Sequence, residues 1–121
     1  MKKQPVISQA VVRSIDYIDH HLHEKITVDD LAEFVGLSSS YLSVLFKKEM
    51  GVAISEYTAE RRIEAAKNML LYSEYSAAEI SSFLNFSSQS HFIQVFRKKT
   101  GMTPKEYKNR YFRKGIDAAS N

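Results

Sequence analysis

The chain has 121 residues, 44% hydrophobic and 26% charged, with seven Phe, seven Tyr, no Trp and no Cys. That length supports one compact domain or two small lobes, and the missing Cys excludes disulfides and thiolate metal sites and fits a reducing compartment. The formal charge of +3 is unevenly spread: residues 1–85 hold nine Lys/Arg against twelve Asp/Glu, and residues 86–121 hold eight against two. A basic C-terminal third is a plausible footprint for a polyanion, although a merely solvated basic face explains charge alone equally well.

The opening MKKQP is followed by no apolar stretch of signal-peptide length. The longest apolar run is Met69 to Tyr72, too short to span a membrane. Two prolines and four glycines leave most of the chain free to be helical, and no strand-like alternation appears.

Val11, Ile15, Ile18 and Leu22 recur at helical spacing and predict a first helix from Ser8 to Leu22. His20, His21 and His23 fall near its end on different faces, which suits surface histidines at a helix C-terminus better than a metal site. Thr27 to Asp30 predicts a capped start for a second helix that ends near Val35, before Gly36. Asp29, Asp30 and Glu33 form an acidic stripe on it. A solvated face is the plain reading, and a contact surface for a partner protein or another domain is the alternative. Ser38 or Ser39 caps a third helix that runs to about Glu49 and stops at Gly51. A long fourth helix follows over 54–72, with Ala59, Ile63, Ala66 and Leu70 as its apolar stripe. Ser76 and Glu79 make a capping box for a fifth helix. Ser87 or Ser88 caps a sixth that ends before Gly101. Thr103-Pro104-Lys105-Glu106 opens a seventh, and the chain from Gly115 reads as a frayed tail.

These elements repeat. Leu31, Phe34, Val35 and Leu37 match Ile80, Phe83, Leu84 and Phe86 at a spacing of 49. Leu42, Phe46, Gly51 and Tyr57 match Phe92, Phe96, Gly101 and Tyr107 at a spacing of 50, so the second copy carries one extra residue in its Ser-rich turn. Each copy has the pattern of a helix-turn-helix. Tyr57 and Tyr107 read as packing residues.

The third and sixth helices should bury Leu42, Leu45 and Phe46, and Phe92, Val95 and Phe96. Ser39, Ser40, Ser43 and Val44 then face outward on one, and Gln89, Ser90, Ile93 and Gln94 on the other. Short side chains permit close approach to a groove, Gln pairs with adenine, and Val or Ile touches a thymine methyl. These residues are candidate base readers. His91 joins them, with simple partial burial as an equal alternative. Ser38, Lys47, Lys48, Ser88, Arg97, Lys98 and Lys99 are candidate phosphate contacts. A connector of about 19 residues is roughly 28 Å long at ~1.5 Å per residue, close to the ~34 Å between successive major-groove faces. The predicted organisation is a first subdomain over 8–53, a linker helix over 54–73, a second subdomain over 74–114 and a tail over 115–121.

Phe96-Arg-Lys-Lys-Thr-Gly101-Met-Thr-Pro104-Lys-Glu-Tyr107 resembles the signature of the AraC/XylS family of bacterial transcription regulators. Ile26 to Ala32, Ser38 to Gly51 and Arg61 to Ala66 add to the likeness, which covers Ser8 to Phe112. The resemblance implies an all-α fold of seven helices in two helix-turn-helix subdomains. It implies double-stranded DNA as partner, RNA polymerase as a second partner, and no membrane, cofactor or metal. It also implies a monomeric domain in the bacterial cytoplasm that controls transcription, commonly by activation. Family members often carry Arg where this chain has Val44 and a basic residue where it has Gln94, which implies more apolar, amide and indirect readout here. Such regulators usually add a sensing or dimerising domain, which favours this chain being part of a larger protein. DNA-repair methyltransferases with a similar domain need a reactive Cys. With no phosphate-cradling Gly-rich loop and no recognisable paired carboxylates, an enzyme is disfavoured. The remaining alternative is a helical protein-interaction module whose basic face is incidental.

Overall fold

The computed structural model describes residues 7–119, with side chains through Phe112. It contains seven helices: α1 (Gln9–His20), α2 (Val28–Val35), α3 (Ser39–Met50), α4 (Ile54–Tyr72), α5 (Ala77–Phe83), α6 (Gln89–Thr100) and α7 (Pro104–Ala119). No strand occurs among the described residues. The chain divides after Thr58 into two compact units.

Local chemistry sets most helix starts. Thr27 accepts the Asp30 backbone N–H while Asp30 accepts that of Thr27, and Ser76 and Glu79 make the same reciprocal pair. Thr103 and Glu106 repeat it with Pro104 as the first helical residue of α7. Each box satisfies two N–H groups that a helix start otherwise leaves without partners.

Helix ends differ from the sequence expectation at two places. α1 stops at His20, two residues early. There the His21 N–H turns back to the Ile18 carbonyl at 3.1 Å. The Nδ1 atoms of His20 and His21 lie 2.8 and 2.7 Å from the carbonyls of Asp16 and Tyr17. A carbonyl only accepts, so both Nδ1 atoms donate and these rings cap α1. α7 continues past Gly115, where the tail was expected to begin, to Ala119. One interior Gly costs a helix only about 1 kcal/mol, and no Pro follows to stop it. Ser120 and Asn121 lie outside the described residues.

In the first unit the buried core is Val11, Ile18, Leu31, Ala32, Leu42, Phe46 and Ile54. In the second, Ile63, Ala66, Leu70, Ile80, Leu84, Phe92 and Phe96 are buried. Phe46 meets Tyr57 edge-on at 5.5 Å, and Phe96 meets Tyr107 edge-on at 5.4 Å. Such pairs add about 0.5–1.5 kcal/mol beyond burial, so both tyrosines pack as expected.

The repeat reaches further than the sequence showed. Val11, Ser14 and Ile18 on α1 are buried, as are Ile63, Ala66 and Leu70 on α4, at a spacing of 52. Ser8 donates its backbone N–H to Glu49 at 2.6 Å, and its hydroxyl bonds the same carboxylate. At the matching places Lys99 pairs with Glu60 at 3.6 Å. Ile54 and Pro104, both buried, also match at a spacing of 50. The first turn of α4 thus does for the first unit what the start of α7 does for the second. The rest of α4 does for the second unit what α1 does for the first, which accounts for a division inside an unbroken helix.

Candidate nucleic-acid interface

Two helix-turn-helix pairs, α2 with α3 and α5 with α6, carry the candidate residues. In the first turn Gly36 takes a left-handed conformation (φ 79°), and the Leu37 N–H returns to the Ala32 carbonyl at 3.0 Å. In the second, Asn85 takes that role (φ 60°), and the Phe86 N–H returns to the Ser81 carbonyl at 2.9 Å. Asn is among the few non-Gly residues that tolerate this backbone. The residue added in the second copy therefore falls between Phe86 and the cap, at Ser87.

Each reading helix is then capped alike. Ser38 accepts the Tyr41 backbone N–H at 3.2 Å, and Ser88 accepts that of His91 at 3.0 Å. Each hydroxyl proton stays available to an outside acceptor. On α3, Leu42 and Phe46 are buried and Leu45 is half-buried; on α6, Phe92, Phe96 and Val95 repeat this. The buried stripe turns the opposite face outward. Ser40, Ser43, Val44, Lys47 and Lys48 are exposed on α3, with Val44 67% accessible. Gln89, Ser90, His91, Gln94, Arg97 and Lys98 are exposed on α6.

Three candidates sit differently from their neighbours. Ser39 is half-buried, and its hydroxyl donates to Asp29 on α2. Lys99 is half-buried and holds the ion pair with Glu60. Ile93 is half-buried. His91 is exposed with its ring edge-on to Phe86 at 5.8 Å, so the partial-burial alternative does not hold.

Two features escaped sequence reading. Tyr41 is 56% accessible at the start of α3, in register with His91; the repeat spacing could have found it. Asp29 abuts the same turn through Ser39, a contact between helices that no periodicity reveals. An apolar cavity of about 440 Å³ in the second unit is lined by Met69, Tyr75, Glu79, Ser82 and Phe83, none of them on α3 or α6.

A model of the family described as helix-turn-helix domain matches residues 31–110, from within α2 through α6 and into α7. The solved structures with this fold include AraC-type DNA-binding domains. The chain belongs to the AraC-type helix-turn-helix family of DNA-binding transcription regulators. It is 40% identical over 96 residues to YobQ of Bacillus subtilis, described as an uncharacterised HTH-type transcriptional regulator; the match covers 79% of this chain and 40% of YobQ. The C-terminal domain of AraT, a response regulator from Geobacillus stearothermophilus, superposes with a TM-score of 0.82 at 30% identity, over 86% of this chain and 87% of that one. The DNA-binding domain of the transcriptional factor AdpA, solved with a target DNA, also gives 0.82, at 25% identity over 88% and 96%. The chain spans between about a seventh and two fifths of the length of the curated relatives it matches.

In this AraC-type domain the outer faces of α3 and α6 hold no acidic residue, and both last turns are basic. No three His, Asp or Glu among the described residues are placed to hold a metal ion, and no helix there is long and apolar enough to cross a membrane.

Proposed function

We propose that α3 and α6 read two successive major-groove segments of one duplex, as the DNA-binding part of a larger transcription regulator. The carrying observation is the paired outer face: small, apolar or amide side chains in the middle of each helix, with cations in its last turn, on a buried aromatic scaffold that repeats every 50 residues. Ser40, Ser43, Val44, Gln89, Ser90, His91, Ile93 and Gln94 face base edges in this reading. Ser38, Lys47, Lys48, Ser88, Arg97 and Lys98 meet phosphate. Ser39 and Lys99 contribute less, because each already binds a carboxylate.

The domain works as a monomer in the cytoplasm and performs no catalysis in this reading, and any dimer forms through other parts of the full regulator. RNA polymerase is the second partner. Asp29 and Asp30 hold Ser39 and Thr27, which makes exposed Glu33 the acid of α2 best suited to meet it. Glu33→Ala should then lower transcription without lowering DNA affinity; parallel loss of both would remove Glu33 from that role.

Salt titration of duplex binding tests the main proposal. Lys47, Lys48, Arg97 and Lys98 at about 0.9 each give a log–log slope near −3.6. A flat dependence would favour the protein-interaction module instead.

A further inference from the structure

The two units treat the start of their reading helices differently. In the first, the Ser39 hydroxyl, on the first residue of α3, donates to the Asp29 carboxylate in the first turn of α2. In the second, the matching residues are Gln89 and Ala78, and the Ala78 side chain offers no acceptor. The bond is exposed, and one such bond adds little to stability, so support of the fold is not its main consequence. Its consequence is electrostatic. Helix N-termini attract anions, and here a carboxylate of the protein is fixed beside the starts of both α2 and α3. A phosphate arriving there meets a like charge within the Debye length of about 10 Å at 0.1 M salt.

We propose that Asp29 is a specificity-determining residue of the first unit. Its carboxylate holds Ser39 and weakens phosphate binding at the N-terminal turn of α3, so that Ser38 holds phosphate less firmly than Ser88 does at the start of α6. That helix is then selected by the fit of Ser40, Ser43 and Val44 to the groove, while α6 supplies charge. The inference rests on the DNA-reading proposal above.

The test compares a selected cognate duplex with a random duplex over a salt series, for the 121-residue chain and three variants. Asp29→Asn keeps an oxygen acceptor for Ser39 and removes the charge. It should raise random-duplex affinity several-fold, lower the cognate-to-random ratio, and steepen the log–log slope by about 0.9. Ser39→Ala keeps the charge, so its slope should equal that of the wild type while base preference relaxes at one end of the site. Ala78→Asp carries the carboxylate into the second unit and should make the slope shallower. The unfolding temperature of all three should match the wild type. A salt-dependent wild type with an Asp29→Asn variant of unchanged slope and ratio would overturn this inference alone. A wild type without salt-dependent duplex binding would overturn the DNA-reading proposal and this inference with it.

Discussion

Val44 and Gln94 occupy the same register of the two reading helices and offer a base pair different chemistry. An exposed Val in mid-helix gains nothing from water and suits a thymine methyl; an amide pairs bidentately with adenine. Gln94→Ala should cost roughly 1–3 kcal/mol on the cognate duplex and far less on random DNA. Arg97→Ala should weaken every duplex alike and lower the slope magnitude by about 0.9. Fluorescence-anisotropy titrations on both duplexes check the pair, and equal loss on both for Gln94→Ala would remove its reading role. The outward direction of these side chains was legible in the sequence, because Leu42, Phe46, Phe92 and Phe96 fix the inward stripe by helical period alone. The engagement of Ser39 and Lys99 was not legible. Their partners, Asp29 and Glu60, lie on other helices, and only tertiary placement brings them near.

At the scale of elements, helix starts follow from capping chemistry and carry a pH signature. Glu79 accepts the Ser76 backbone N–H, and Glu106 that of Thr103, which holds both carboxyls below their ordinary value of 4.5. Arg97 adds a smaller lowering at Glu106. Glu49 is held low too, by the Ser8 hydroxyl first and its N–H second. A carboxyl depressed in the folded state stabilises the fold above its unfolded value and loses that contribution as pH falls through the folded one. Thermal stability should therefore hold at neutral pH and decline below about pH 4.5, where unfolded carboxyls begin to bind protons. Glu79→Gln and Glu106→Gln together should flatten this decline; melting curves from pH 7 to 3 decide it, and an unaltered profile would assign the acid sensitivity to other groups. Capping is local, so the starts of α2, α5 and α7 were readable from short segments. The end of α1 was not, because it depends on a tightened bond from His21. The cores behave differently again: Phe46→Ala and Phe96→Ala should each cost about 3–5 kcal/mol, since each fully buried ring also loses its edge-on tyrosine. Denaturant melts would show it, and unchanged midpoints would contradict the inward assignment.

For the whole molecule, α4 is the decisive element, and the sequence showed only half of its role. Its length and stripe were legible as a connector. That its first turn completes one unit and its remainder opens the other became visible only through burial of Ile54 in the register of Pro104, and of Ile63, Ala66 and Leu70 in the register of Val11, Ser14 and Ile18. This gives α4 a testable property. One Ala inserted between Thr58 and Ala59 leaves residues 54–58 in register with the first core and residues 59–72 in register with the second. It also turns one unit against the other by about 100° and lengthens the helix by about 1.5 Å. Both cores should survive, so the melting temperature should stay near that of the wild type. A duplex with both half-sites should lose the roughly hundredfold to ten-thousandfold advantage that linked binding confers, while each half-site alone is bound as before. Undiminished affinity for the full site after the insertion would mean that one unit carries all the binding.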